Sequence, residues 1–424
     1  MGIRPRSVRG EVGAPPSKSY THRALVVGHL SRRRYRVLHP LDSEDTRATA
    51  KAIEVLGSRV RRSADEWVVS PGPDREGTAP CSIDCGESGT TLRFASALAA
   101  ASGRRVRLSG RGRLPGRPMA PLWRALGAMG ARTRSLGARG KTLPVTIEGP
   151  IDGADVAVEA SESSQFASAL LLIAPVLERP TVLRLEGRVV SEPYLDATLS
   201  VLASSRIHVR RSGRRFEVEG RQRYQGRRFA VPGDASSAAY LWTAGALAGG
   251  PVRVRGIPRD RPQADLAVLD LFRASGAVVR EGRRGISVSA GARHRPFSID
   301  LTRAPDLYPL AGVLAAATPG RCRLRGAPHI VLKESDRRAG TERLVAALGG
   351  RCRRTRSGLE IEGRAELPGF VLEHEDDHRL VMSAAVAALA ASSPSRLGDA
   401  DAVRKSFPGF WRALVALGAE GPRR

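Results

Sequence analysis

The chain has 424 residues, with 69 Lys plus Arg against 42 Asp plus Glu, a formal charge of +27, 42% apolar residues and 4% aromatic residues. That length supports two or three domains with buried cores, and the composition excludes intrinsic disorder. The longest nearly apolar run, Phe166 to Leu177, falls short of the roughly 18–20 residues of a membrane span, and the basic start Met1–Arg9 lacks the apolar stretch of a secretion signal.

The cysteines, Cys81, Cys85, Cys322 and Cys352, are too few for a disulfide framework and read as cytosolic thiols. Lysine occurs only at 18, 51, 141, 333 and 405, every other basic residue being arginine. A position that keeps Lys against such a bias is a candidate for chemistry that needs a compact ammonium. The basic excess points to anionic partners, either nucleic acid or a small multiply charged substrate. Scattered arginines, few aromatics and no recognisable reader module weigh against nucleic acid.

In chain order, the first polar cluster, Pro16-Ser17-Lys18-Ser19-Tyr20-Thr21-His22-Arg23, opens an apolar helix at Ala24. A phrase then recurs: an apolar helix ends in Leu-Gly or a small pair, followed by a β-like run, a polar turn and a second β-like run. Leu56-Gly57 shows it first, with Arg59-Val60-Arg61 and Trp67-Val68-Val69. Cys85-Gly86-Glu87-Ser88-Gly89-Thr90-Thr91-Leu92-Arg93 opens the next helix, and Met129-Gly130 ends another. Ala160 to Gln165 precedes Phe166-Ala167-Ser168, and the phrase returns at Ser204-Ser205, Ser275-Gly276, Leu348-Gly349 and Leu417-Gly418. Anchors at 57, 130, 205, 276, 349 and 418 recur at near-constant spacing, so the chain reads as six α/β units of about 71 residues. Glycine after a last helical turn supplies the left-handed cap, and alternating apolar residues across a polar turn make a hairpin.

Three motifs compete as decoys. Ser135 to Thr142 nearly fits a phosphate-cradling P-loop but has Ser135 where the first glycine belongs. Gly110-Arg111-Gly112 lacks the third glycine of a dinucleotide fingerprint. His374-Glu375-Asp376-Asp377-His378 matches a zinc pattern, yet Phe370 to Glu373 reads as a strand and Leu380 onward as the helix. The acidic residues then fall at a helix start, where the dipole favours them. Helix starts with small polar or cationic residues recur at Gly233-Asp234-Ala235-Ser236-Ser237, read as a cap, and at Asp377-His378-Arg379. Lys18, Ser19 and Arg23 exceed what a cap needs and read as an anion site. Lys333 in His329 to Arg337 and Lys405 in Val403 to Pro408 place two more lysines in candidate motifs.

Taken in order from residue 15 to about 410, Pro16-Ser17-Lys18-Ser19, Gly86 to Arg93, Gly116-Arg117-Pro118, Ser163-Ser164-Gln165-Phe166, Ser191-Glu192-Pro193-Tyr194, Leu332 to Arg337, Asp377-His378-Arg379 and Lys405-Ser406-Phe407-Pro408 resemble the EPSP synthase (3-phosphoshikimate 1-carboxyvinyltransferase) family. The resemblance implies an inside-out α/β fold of six βαβαββ-type units, three per lobe: residues 15–232 in the first lobe, 1–14 plus 233–424 in the second, the active site in the cleft between them. It implies enolpyruvyl transfer from phosphoenolpyruvate to the 5-hydroxyl of shikimate 3-phosphate, releasing phosphate, with no cofactor and no metal, in a cytoplasmic monomer. Lys18, Ser19, Arg23, Ser163, Ser164, Gln165, Ser191, Tyr194, Asp306, His329 and Lys333 would hold shikimate 3-phosphate. Lys18, Gly89, Arg117, Gln165, Arg337, Arg379 and Lys405 would hold phosphoenolpyruvate. Asp306 resembles the base at the 5-hydroxyl, with Glu334 and Lys18 as the other catalytic groups; by residue type alone Asp306 is equally a helix cap. Lys18-Ser19 favours the shikimate branch over the UDP-N-acetylglucosamine relative, which has Lys-Asn there. Three departures stand out: Glu87 for a usual Asn, whose carboxylate would repel the substrate unless protonated or paired, Phe94 for a common Pro, and His329 for a frequent Asn. The rival readings are a zinc hydrolase through His374, Glu375 and His378, and a basic RNA-binding protein.

Overall fold

The computed structural model describes residues 1–72, 80–138, 142–373, 375 and 377–421. The chain divides into two compact units, a first lobe of Pro16–Pro232 with Asp260–Pro262 and a second lobe of Met1–Pro15, Gly233–Arg259 and Gln263–Arg424.

The first lobe carries helices α1 (Lys18–Leu30), α2 (Glu44–Val55), α3 (Gly89–Ala101), α4 (Ala120–Ala128), α5 (Gln165–Ile173) and α6 (Pro193–Ser204). Its three four-stranded sheets share one pattern. In space, Arg228–Ala230, Tyr35–Leu38, Glu66–Pro71 and Ser58–Arg62 form the first, and Cys81–Asp84, Arg105–Ser109, Val145–Glu148 and Arg132–Ser135 the second. Asp155–Glu159, Thr181–Glu186, Arg215–Val218 and Arg210–Ser212 form the third. The first two strands of each are parallel and the rest antiparallel. A parallel pair needs a crossover, which the helices supply, and the hairpin follows each helix exit. Alternation turns Val106, Leu108, Val145 and Ile147 inward to a core with Trp67, Tyr35, Phe94 and Phe166. Full burial of such side chains contributes roughly 1.5–3 kcal/mol each.

The second lobe carries α7 (Ala235–Ala248), α8 (Val268–Ala274), α9 (Tyr308–Ala316), α10 (Arg337–Ala347), α11 (His378–Leu389) and α12 (Phe410–Ala416), with its own core around Trp242, Phe272 and Tyr308. Two four-stranded sheets repeat the pattern: Val8–Gly13, Gly249–Arg255, Gly285–Ser289 and Val278–Gly282, then Ser298–Asp300, Gly320–Arg325, Gly358–Gly363 and Arg351–Thr355. The sixth sheet has three strands, Gly2–Ile3, Ser395–Leu397 and Val371–Leu372. Its antiparallel edge, Gly2–Ile3, pairs with Ser395–Leu397, and Val371–Leu372 pairs parallel on the other side. The sixfold α/β reading of the sequence is thus the observed architecture. No helix among the described residues is long and apolar enough to cross a membrane.

Five of the six anchors end a helix with a left-handed glycine, at Gly57, Gly130, Gly276, Gly349 and Gly418 (φ 106, 114, 90, 76 and 100°). Without a Cβ, glycine adopts this conformation at no steric cost. After Ser205 the left-handed residue is Arg206 (φ 56°), and Arg32 (φ 48°) plays the same part after α1.

Candidate active site

In the first lobe the chain brings the starts of α1, α2 and α3 together through a buried relay. His22 Nδ1 lies 2.7 Å from Thr49 Oγ1, Thr49 2.7 Å from Thr91 Oγ1, and Thr91 Oγ1 donates to Ser88 Oγ at 2.8 Å. Burial lowers the His22 imidazole to about 3, so the ring is neutral at physiological pH and serves as a tie. Lys18 in the first turn of α1 pairs with Asp45 in the first turn of α2 at 2.9 Å. Ser43 caps α2 in a capping box with Thr46, which fixes where Asp45 points.

Arg23 is 1% exposed and joins α1 to α5 and α6. It donates to Thr198 Oγ1 (2.8 Å), Ser168 Oγ (3.3 Å) and the carbonyls of Ser19 (2.9 Å) and Tyr194 (2.9 Å). Its guanidinium stacks 5.6 Å over Phe94, so the aromatic at that position has a partner to pack against. At the start of α5, Ser163 Oγ accepts the Gln165 N–H, and the Gln165 side chain accepts from Arg93 (2.7 Å) and donates to Thr90 (2.9 Å). Ser164 is buried beside them, and Ser191 (φ 55°) turns the chain into α6, where Tyr194 begins.

Gly89 opens α3 beneath two guanidiniums: a Cβ there would stand 2.6 Å from Arg117 and 3.0 Å from Arg93. Glu87 is turned toward Gly112, where a Cβ would meet its carboxylate at 2.8 Å. Lys18, Ser19, Arg23, Gly89, Arg117, Ser163, Ser164, Gln165, Ser191 and Tyr194 therefore all fall on helix starts of this lobe or on turns leading into them.

The second lobe gathers Lys333, Glu334, Arg337 and Arg379 around one carboxylate, while His329 and Lys405 are placed by separate 3-10 segments. Asp306, in a turn of 3-10 helix before α9, lies 2.7 Å from Arg337, 2.8 Å from Arg379 and 3.7 Å from Lys333. Burial would raise its carboxyl, but Arg379, Lys333 and Arg337 together outweigh that and hold it well below the usual carboxylate range. Arg337, 1% exposed at the start of α10, donates to Asp306, to Glu334 (2.7 Å) and to both oxygens of Asp377 (2.8 and 3.4 Å). Four of the five guanidinium N–H groups are thus committed within the lobe. Burial pushes Asp377 up, yet Arg337 and His378 pull it to about 2, and its carboxylate also caps α11 by accepting the Arg379 N–H. His329 is buried in the 3-10 segment Pro328–Leu332, and Lys405, 9% exposed, ends the segment Ala400–Lys405.

The decoys resolve locally. His374 lies outside the described residues; Glu375 and Asp377 precede α11, so the helical face that the zinc pattern requires is not formed there. Gly140 and Lys141 also lie outside the described residues, and Arg132–Ser135 is an exposed strand. Asp234, expected as a cap, makes no side-chain cap bond to α7; it accepts from the Ser237 hydroxyl, while Ser236 donates to buried Asp265. All four cysteines are free thiols. Sequence reading did not single out Asp45, Arg93 as a holder of Gln165, Asp265, or Thr198 and Ser168. The one signal available was the helix-start pattern Ser43-Glu44-Asp45-Thr46.

The fold is of a class built from repeated α/β units in two lobes, with helix starts that present hydroxyls, amides and cations, groups whose chemistry suits small anions. The sequence model of EPSP synthase (3-phosphoshikimate 1-carboxyvinyltransferase) matches residues 3–414. The chain is 37% identical over 425 residues to a 3-phosphoshikimate 1-carboxyvinyltransferase of Halobacterium salinarum, covering 99% of this chain and 98% of that one. It is 39% identical over 419 residues to that of Thermococcus kodakarensis, covering 98% and 100%. A solved EPSP synthase of Acinetobacter baumannii superposes with a TM-score of 0.81 at 26% identity, over 98% of both chains. The chain belongs to the EPSP synthase family.

Proposed function

We propose that the protein transfers the enolpyruvyl group of phosphoenolpyruvate to the 5-hydroxyl of shikimate 3-phosphate, as a cytoplasmic monomer. The observation that carries the reading is the Asp306 carboxylate bracketed by Arg337, Arg379 and Lys333. Such a group is ionised at neutral pH, so it can accept a proton, but three cations make it a weak base. Anionic substrate drawing Lys333 and Arg379 away would return basicity to Asp306 when a hydroxyl has to be deprotonated.

In the proposed sequence, Asp306 takes the 5-hydroxyl proton as that oxygen bonds to C2 of phosphoenolpyruvate. An acid, Lys18 or Glu334, protonates the CH2 carbon, giving a tetrahedral ketal. Loss of a proton from the resulting methyl group and departure of phosphate then give the enol ether. Arg117, Arg379 and Lys405, with the amide of Gly89, hold phosphoenolpyruvate, while Ser19, Ser163, Ser164, Gln165, Ser191, Tyr194 and His329 hold shikimate 3-phosphate beside it. Arg23 acts mainly by locking α1 against α5 and α6. Arg337 holds Asp306 and Glu334 in place, with at most one N–H left for substrate. The residues named come from both lobes, and positioning two anions supplies much of the rate.

Phosphate release from phosphoenolpyruvate that depends strictly on shikimate 3-phosphate tests the reading; release without it, or none, would refute it. A second test follows from Gly89. In Gly89→Ala the new methyl group meets Arg117 and Arg93 within 3.0 Å and displaces one guanidinium from the start of α3. The expected result is a roughly 10-fold rise in KM for phosphoenolpyruvate, with KM for shikimate 3-phosphate within about 2-fold, the loss of one charge-assisted contact.

A further inference from the structure

At the opposite end of the first lobe's helices lies a feature that the reaction does not use. A cavity of about 960 Å³ runs beneath the exits of α1, α2 and α3 and the segment after α5, and a second of about 540 Å³ adjoins it. Arg33, Arg223 and Tyr224 line both. Arg32 and Arg104 line the larger, Arg206 and Arg227 the smaller. Among the described lining residues the one carboxylate is Glu178, and Arg221 pairs with it at 2.6 Å.

Two observations set these arginines apart from the chain's general excess. First, exposed arginines elsewhere are either matched, as in Arg36–Glu66, Arg47–Asp42 and Arg354–Glu342, or scattered, whereas here Arg32, Arg33, Arg206, Arg223 and Arg227 converge on one pair of adjoining cavities. Among the described residues, Arg32, Arg33, Arg206, Arg223 and Arg227 have neither a carboxylate partner nor a side-chain hydrogen bond. Capping the helix exits does not account for them, because Arg104 alone does this, donating to the Val55 carbonyl. Second, among the described residues three of the six non-glycine residues in the left-handed region are Arg32, Arg206 and Arg221 (φ 48, 56 and 55°), all at this place. Arg32 and Arg206 stand at helix exits, where glycine stands at 57, 130, 276, 349 and 418, while Arg221 follows a strand. Arginine here holds a conformation that L side chains adopt at a cost, and outliers of that kind gather at ligand sites.

We propose that this arginine-lined cavity is a binding site for a small anion of three or more charges, of the condensed-phosphate or polycarboxylate class. Helix exits carry the negative end of the dipole, so the guanidiniums, not backbone amides, must supply the attraction, and only a multiply charged ligand gains enough from them. The site is separate from the starts of the same helices: the 13 residues of α1 between Lys18 and Leu30 span about 20 Å.

Calorimetric titration of the full chain with inorganic tripolyphosphate, and separately with citrate, tests this, with shikimate 3-phosphate present at saturation to fill the candidate active site. The expected result is one saturable site for at least one of the two anions, and the tighter of them assigns the ligand class. Binding should weaken by about 10-fold or more in the double variant Arg33→Ser/Arg223→Ser, from the loss of two charge-assisted contacts. It should stay within about 2-fold in the control Arg283→Ser/Arg284→Ser in the second lobe, and kcat and KM without added anion should be unchanged in both. Arg32→Gly should weaken binding while raising Tm by about 2 °C, since relief of strain and loss of a ligand group go together. Equal binding in the first double variant, equal weakening in the control, no saturable binding of either anion at about 1 mM, or tighter capture of an RNA oligonucleotide than of either anion would overturn the proposal.

Discussion

Replacing Arg337 by methionine is expected to cost the second lobe about 4 kcal/mol and to lower its Tm by roughly 10 °C, with catalysis lost. The substitution keeps the volume of the side chain's stem but leaves Asp306, Glu334 and Asp377 without their shared cation. Removing one member of a buried ion network exposes the desolvation cost of the rest, which is larger than the net worth of the network itself. The pH dependence distinguishes this from simple loss of packing. In the unaltered chain Asp377 is held at about 2, below its ordinary 3.8. A depressed carboxylate contributes stability above its unfolded value and loses it as pH falls through the folded value, here about 2 kcal/mol between pH 4 and 2. Without Arg337, burial raises the Asp377 carboxyl instead, so protonation favours the folded variant and its deficit should narrow as pH drops from 7 to 4. Thermal melts of both chains over that range provide the check; a deficit that stays constant with pH would refute the electrostatic account.

What could be read from the sequence and what could not divide along a physical line. Helix starts and exits are local: Ser88 before Gly89, Asp377 before His378 and glycine after a last turn each act within a few residues, so periodicity and residue type disclosed six units and the positions of most candidate side chains. Pairing is not local. Lys18 meets Asp45 across 27 residues, Arg337 meets Asp377 across 40, and Arg23 meets Thr198 across 175. Nothing in a single sequence marks which charges on separate helices will face each other, so Arg23 and Arg337 read as ligand holders while the partners they take within their own lobes stayed hidden. The sixth sheet was hidden for the same reason, since Gly2 pairs with Arg396 at the far end of the chain. Aspartate before α9 illustrates the ambiguity well: residue type left Asp306 as either a cap or a base, and the three cations around its carboxylate, Lys333, Arg337 and Arg379, come from positions 27 to 73 residues further along the chain.

Lys18→Arg should fold normally, with Tm within about 2 °C, yet lose about 100-fold or more in kcat. The variant separates two jobs. If Lys18 serves only to pair with Asp45, arginine preserves the charge, can still reach the carboxylate, and the rate should survive. If it also reaches both substrates and shares in moving a proton, arginine fails twice: a planar fork needs more room than an ammonium at the crowded start of α1, and guanidinium does not give up a proton in the accessible pH range. The pair with Asp45, 2.9 Å long at a side chain only 16% exposed, aims the amine and limits its swing. Asp45→Asn therefore makes the companion measurement. It releases Lys18 while leaving an acceptor oxygen in place, and it should raise KM by about 10-fold with kcat affected less, as expected of a group that orients another. Steady-state phosphate release by the two variants, alongside thermal melts, decides the matter: near-normal turnover in Lys18→Arg would reduce this lysine to half of a surface-proximal salt bridge and would remove the reason to treat retained lysines in an arginine-rich chain as chemically chosen.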